Sequence, residues 1–135
     1  MTKKVLITGG AGYVGATLIP MLLSKNYKIT IYDLFLYEDN LFKTNYKINC
    51  IKGDIRDVNK LSKAMEGQDS IIHLACISND PSFDLDPKLG REINLNAFEP
   101  LVKASKNQGI KRFVNASSSS IYGIQDTKDV HEETS

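Results

Sequence analysis

Three groups of residues have types and spacings suited to chemistry. The first is Gly9-Gly10-Ala11-Gly12-Tyr13-Val14-Gly15, which follows the apolar run Val5-Leu6-Ile7 and precedes an apolar-periodic stretch. A glycine at 9 or 10 lets a strand turn sharply, because glycine tolerates positive φ. Gly12 has no side chain, so backbone can approach a pyrophosphate, and Gly15 allows close helix–strand packing. The helix that follows aims its free N–H groups and positive dipole end at phosphates. Strand, glycine turn and helix in that order form a dinucleotide-binding fingerprint. The second group is Asp33 alone, 18 residues after Gly15 and at the end of Lys28-Ile29-Thr30-Ile31-Tyr32. A carboxylate there accepts from an adenosine ribose 2′-hydroxyl and repels a 2′-phosphate, so the expected cofactor is NAD rather than NADP. The third is the hydroxyl run Ser117-Ser118-Ser119-Ser120 before Ile121-Tyr122. By composition alone, such a run satisfies loose backbone groups at a strand end.

The elements that must position these groups alternate. Lys4–Thr8 reads as a buried strand, and Val14, Leu18 and Leu22, widened by Ile19 and Leu23, give a helical stripe. Pro20 inside that stripe removes a hydrogen bond and crowds the preceding turn, which predicts a bend. Lys28–Asp33 is a second strand, residues 34–46 a loop and Lys47–Lys52 a third strand. Asp57 caps a helix carrying Val58, Leu61 and Met65, with Gly67 at its C-terminal end. Ser70–Ala75 is a fourth strand, apolar enough to be buried on both faces. Asp86-Pro87 starts a further helix bearing Ile93, Ala97, Leu101 and Ala104, with a kink expected at Pro100 and an end at Gly109. Lys111–Ala116 is the fifth strand. Strands joined by helical crossovers predict an α/β fold: a Rossmann-type, doubly wound parallel sheet of about five strands, with ligands beyond the strand carboxyl ends.

Size and charge exclude other classes. At 135 residues the chain is one domain with no internal repeat. Residues 1–123 are expected to form the NAD-binding unit and 124–135 a polar tail. Net charge is +1, from 17 basic and 16 acidic residues, and no basic cluster is present, which argues against nucleic acid. No apolar stretch reaches membrane-spanning length, and the first strand begins too soon for a signal peptide, so a cytoplasmic location is expected. Cys50 and Cys76 lie in strand-like contexts without metal spacing and read as buried thiols in a reducing compartment. His73 and Cys76 gather no further ligands, so no metal is expected.

In order along the chain, these motifs resemble the NAD-dependent epimerase/dehydratase family, the extended short-chain dehydrogenases/reductases that act on nucleotide sugars. Thr8-Gly9-Gly10-Ala11-Gly12-Tyr13-Val14-Gly15 is similar to its cofactor loop, which implies Gly9, Gly12, Tyr13, Val14 and Gly15 at the cofactor. Gly53-Asp54-Ile55-Arg56-Asp57 resembles the segment that holds adenine through the Asp54 side chain and the Ile55 backbone. His73-Leu74-Ala75-Cys76 resembles the fourth-strand end, with Leu74, Ala75 and Cys76 along the cofactor. Asn94 matches a helix asparagine near it. Ala116–Gly123 resembles the serine motif of the fifth strand, and the hydroxyl four residues before Tyr122 is Ser118. The resemblance implies that Ser118 is catalytic, bonding the sugar oxygen that is oxidised or reduced. Ser119 and Ser120 would line the substrate pocket.

The same motif separates reactions. Sugar 4,6-dehydratases of the family carry acids near the places of Ser119 and Ser120, because removal of water needs an acid/base pair. Serines there favour an epimerase or a reductase. The family's base is a tyrosine activated by a lysine four residues later. Tyr122 is not that tyrosine, since Asp126 stands at the fourth place. The resemblance places the Tyr-x-x-x-Lys pair beyond Ser135, together with the substrate-binding portion and much of a homodimer interface. The expectation is therefore the cofactor-binding portion of a longer enzyme, with no turnover by these residues alone, doubtful dimerisation and an exposed edge at strand five. A non-catalytic module that holds NAD is the alternative.

Overall fold

The structure, a computed structural model, describes residues 2–36, 47–124, 130, 131 and 133. Most of the loop expected over 34–46 and most of the tail 124–135 therefore lie outside the described residues. Five strands form one parallel sheet: β1 (Lys4–Thr8), β2 (Lys28–Asp33), β3 (Ile48–Lys52), β4 (Ser70–His73) and β5 (Arg112–Asn115), in the order β3-β2-β1-β4-β5. The order grows outward from β1 in one direction and then the other, so the switch point lies between β1 and β4. Register aligns the strand ends. Thr8 is level with both Tyr32 and His73, and His73 with Asn115.

The alternation of the strands divides the core in two. Leu6, Tyr32 and Ile71 face α2 (Val58–Met65) and α5 (Phe98–Asn107), meeting Leu61, Met65, Leu101 and Ala104. Val5, Ile7, Ile29 and Ile31 face α1 (Tyr13–Ser24) through Ile19. On that second face α1 is the helix in the core, and it sits over β1 and β2. This explains why β4 is not buried on both faces as expected: Ile71 is buried while Ile72 is half-buried. Val114 of β5, on the same side as Ile72, is 45% exposed.

Several helix ends follow their expected chemistry. Asp57 accepts from the Lys60 N–H at 3.0 Å and caps α2, and Gly67 follows its end at φ +68°. Asp86 accepts from the Leu89 N–H at 3.0 Å and caps α4 (Pro87–Arg91), with Pro87 in its first turn. Two features differ from the sequence reading. A short helix α3 (Asp80–Leu85) precedes α4, capped by Asn79 on the Ser82 N–H. The stretch between α4 and α5 is a π-helical turn, Glu92–Asn96. Pro100, in the first turn of α5, would crowd the carbonyl of Asn96 in a regular helix, and the widened turn lies at that point. Pro20 lies on the exposed side of α1, which continues through it from Tyr13 to Ser24.

Candidate functional site

At the carboxyl ends of β1, β2 and β4 lies a groove of about 540 Å³, a size typical of small-ligand sites. Its phosphate-facing wall is the glycine loop. Gly9 sits at φ +71°, and a Cβ there would lie 2.6 Å from the Ala75 backbone nitrogen. Only glycine lets the loop pass so close to the end of β4. Gly12 is the N-cap residue of α1 and has no side chain to cap it. The first-turn N–H groups of α1 have no partner within the helix and face outward. Tyr13, at 94% exposed, leaves this end of the helix open. Gly15 is buried behind the loop, where a Cβ would overlap the Gly10 carbonyl. It packs the helix onto the loop and does not itself line the groove.

Asp33 stands at the end of β2 and ties two segments together. Its Oδ2 accepts from the Ala11 N–H at 3.0 Å and its Oδ1 from the Phe35 N–H at 2.9 Å. Phe35 is at φ +48°, so the second bond braces a turn that a bulky residue rarely adopts. The carboxylate thus sets both the glycine loop and the chain leaving β2, and it lines the groove between them.

Beyond β3, Asp54 and Ile55 form the next stretch of wall. Sequence reasoning marked these positions but missed what holds them. The Tyr32 hydroxyl donates to the Asp54 carbonyl at 2.9 Å, and a Cβ on Gly53 would overlap the Tyr32 ring. Burial first, then the charges of Asp57 and Asp54, push the Tyr32 phenol up to about 12, so it remains a donor. The signal lay in the glycine at 53, which a bulky neighbour requires. Arg56 forks onto the Asp54 carboxylate, with one nitrogen at 2.6 Å from Oδ2, and reaches Glu92 at 3.1 Å. The hydrogen bonds from the Arg56 side chain hold the Asp54 carboxyl below the usual carboxylate range.

The floor is the chain leaving β4. Pairing ends at His73, two residues earlier than expected, so Leu74, Ala75 and Cys76 leave the sheet to pass beneath the glycine loop. Cys76 is consequently exposed and Cys50 half-buried, a correction to the expectation of two buried thiols. Burial of part of its surface still raises the Cys76 thiol above its ordinary value. The next residue, Ile77, is clipped at both backbone groups by Asn94. Its N–H donates to Oδ1 at 2.8 Å, and the asparagine amide donates to its carbonyl at 2.9 Å.

A second cavity of about 510 Å³ opens on the β4–β5 side and shares the 74–78 segment with the groove. Asn94, Ser118 and Ser120 line it, whereas every other predicted cofactor residue except Gly15 lines the groove. The side chain of Ser119 lies outside what the structure describes. The Ser118 hydroxyl accepts from the Ser120 N–H at 3.1 Å and caps a short 3-10 turn, Ser119–Tyr122. At the back, His73 is buried with Nδ1 2.6 Å from the Thr8 hydroxyl, and burial lowers its pKa. Its ring packs against Phe98 and Phe113 at 5.8 and 6.3 Å. Among the described residues, no three His, Cys, Asp or Glu side chains gather as a metal site. None of their helices is long and apolar enough to cross a membrane.

Residues 5–135 match the NAD dependent epimerase/dehydratase family. The chain belongs to that family. Its relatives within and around it differ in reaction. It is 34% identical to a dTDP-D-glucose 4,6-dehydratase of Dictyostelium discoideum, over 94% of this chain and 32% of the relative. It is 31% identical to a 3 beta-hydroxysteroid dehydrogenase/Delta 5-->4-isomerase of Mycobacterium tuberculosis, over 87% of this chain and 32% of that protein. Among solved structures, a UDP-glucose-4-epimerase from Stenotrophomonas maltophila with bound NAD and formylated UDP-arabinopyranose superposes with a TM-score of 0.89. That match has 26% identity and covers 98% of this chain and 42% of the other. The chain therefore spans about a third of the length of the two curated relatives. Membership in the epimerase/dehydratase family accounts for the sheet order and the glycine loop. What the site can do beyond that depends on the side chains at the ends of β2, β3 and β5.

Proposed function

We propose that these residues form the NAD-binding part of a nucleotide-sugar epimerase or reductase. The observation that carries the reading is the sequence of groups along the groove. Free N–H groups of α1 stand beside β1, the Asp33 carboxylate at β2 and the Asp54–Ile55 wall beyond β3. A dinucleotide half laid in that order has pyrophosphate on the helix end, ribose at Asp33 and base at Asp54 and Ile55. Gly12 supports it: a side chain there would already meet the Gly9 carbonyl at 3.3 Å and would fill the cradle a phosphate needs. The Asp33 carboxylate disfavours a 2′-phosphate, so NAD is the cofactor.

NAD, when bound in the groove, would supply reversible hydride transfer at a sugar carbon. The serines that follow β5 do the rest of what this chain can do. Ser118 holds the sugar oxygen that alternates between hydroxyl and carbonyl, and Ser119 and Ser120 belong to the sugar pocket. Neither of the latter two can act as the acid or base that elimination of water requires, which favours epimerisation or reduction over dehydration.

Calorimetry of the chain with NAD and NADP tests the cofactor assignment. The expected preference for NAD is about tenfold or more, the factor that ~1.4 kcal/mol of charge repulsion produces. Equal binding, or a preference for NADP, refutes it. Nucleotide-sugar epimerisation by this polypeptide would overturn the expectation that it binds without turning over.

A further inference from the structure

Arg56 is the group at the groove that the proposed function leaves without a task. It lies just past β3, yet its guanidinium contacts two carboxylates from distant parts of the chain. On Asp54, Oδ1 accepts from the Arg56 backbone N–H at 2.9 Å and from Nε at 3.0 Å. Oδ2 accepts from a terminal nitrogen at 2.6 Å and shares Nε at 3.1 Å. The other terminal nitrogen reaches Glu92, the first residue of the π-helical turn, at 3.1 Å. Asp54, Leu89 and Ile93 all line the groove, and Glu92 lies between the last two in sequence. The guanidinium therefore straps the segment after β3 to the π-helical turn beside the groove.

Isolated surface ion pairs contribute little, but a forked arginine shared between two carboxylates fixes geometry as well as charge. A carboxylate has about four lone-pair directions. The fork and the backbone N–H occupy those of Oδ1 and one of Oδ2. The second direction of Oδ2 is engaged only by the longer share of the bifurcated Nε–H, so it is the one still open to another donor, and the fork restrains the side chain from rotating to offer another.

We propose that Arg56 is a positioning residue that makes Asp54 selective for an exocyclic amine on the base of the bound dinucleotide. The inference rests on reading the groove as a dinucleotide site with its base at Asp54. A fixed carboxylate oxygen accepts from the amine of adenine. It meets the carbonyl oxygen of hypoxanthine lone pair to lone pair. Selectivity comes from the fork, since a carboxylate free to rotate would turn away from the wrong base at little cost.

The test compares affinities of the chain for NAD and for nicotinamide hypoxanthine dinucleotide by calorimetry. The native chain is expected to prefer NAD about tenfold, the scale of one hydrogen bond to a charged group. In Arg56→Ala the ratio falls to about twofold, chiefly because affinity for the hypoxanthine form rises about fivefold once the carboxylate can turn away, while affinity for NAD stays within about twofold of native. Arg56→Lys keeps the charge but not the fork, so its ratio stays below about fivefold. Retention of the native ratio in Arg56→Ala, or equal loss of both ligands, overturns the inference, because a merely structural role would weaken both alike. Should a thermal melt show Arg56→Ala unfolded, Arg56→Lys decides by the same criteria. A native chain that binds neither dinucleotide refutes the NAD assignment itself. A native chain that binds both equally refutes only the selection of the base by Asp54 and Arg56.

Discussion

Replacing Asp33 by asparagine separates the two tasks of this residue. The carboxylate accepts two backbone N–H groups, from Ala11 and Phe35. Asparagine offers one oxygen and one amide nitrogen, so whichever way it turns, an NH2 faces one of those N–H donors. One bond is lost and the other falls from charge-assisted to neutral. With hydrogen bonds to charged groups worth about 1.5–3 kcal/mol and neutral ones ~1, and a discount for a half-buried site, the cost is about 2 kcal/mol. For a domain of this size a loss of that order lowers the melting temperature by about 6–10 °C. Binding falls further, because the ribose loses a charged acceptor as well, and the discrimination against NADP shrinks since no carboxylate opposes the 2′-phosphate. Thermal melts followed by circular dichroism, with calorimetry on NAD and NADP, read both effects. A variant melting within about 2 °C of native would refute the claim that Asp33 braces the loop. A variant that keeps native discrimination would refute its role at the ribose.

Two glycines should behave differently. Gly9→Ala places a side chain at φ +71° and 2.6 Å from the Ala75 nitrogen, so both melting temperature and NAD affinity fall. Gly12→Ala has φ −86° and meets only the Gly9 carbonyl at 3.3 Å, so NAD affinity falls about tenfold or more while the melt changes little. Parallel loss in both variants refutes the assignment of Gly12 to the ligand. His73 supplies a pH dependence. Its folded pKa lies below its ordinary value because it is buried. The unfolded chain therefore takes up the proton first as pH falls through about 6.5, and stability present above that value declines as pH approaches the folded pKa. Melts between about pH 7.5 and 5 should show this decline, and His73→Gln should flatten it; an unchanged slope in the variant assigns the effect elsewhere.

What the sequence makes legible divides along a physical line. Features fixed by neighbours within a few residues can be read directly. The Asp57 and Asp86 caps, a left-handed glycine at 9 or 10 (Gly9 in the structure), the left-handed Gly67 and Gly109 and the apolar pattern that buries β1 and β2 all follow from local rules. Gly12 and Asp33 are legible at the groove from the glycine spacing and the strand end, whereas Asp54, Ile55 and Leu74 to Cys76 are marked only by the resemblance to a family. Where local rules compete, the reading drifts. Ser70–Ala75 looks like an unbroken strand because Leu74 and Ala75 are apolar, yet β4 ends at His73, and Ala75 passes close against Gly9 of the glycine loop.

The pairings that organise the site are of another kind. Asn94 with Ile77, Arg56 with Glu92 and Thr8 with His73 join residues 17, 36 and 65 apart. Each pair uses common residue types whose local preference is for solvent or a cap, and only the crossovers between strands bring them together. Thr8 and His73 illustrate the point. As a β-branched residue before a glycine turn and a lone histidine in an apolar strand, they suggest nothing in common. The parallel pairing of β1 and β4 sets them level, and burial then leaves each as the other's hydrogen-bond partner. The resemblance marks Asn94 for the cofactor; in the structure its amide grips the chain at Ile77, on the segment the two cavities share. Through Asn94 at Ile77 and Arg56 at Glu92, the π-helical turn is hydrogen-bonded both to the floor of the groove and to the segment after β3.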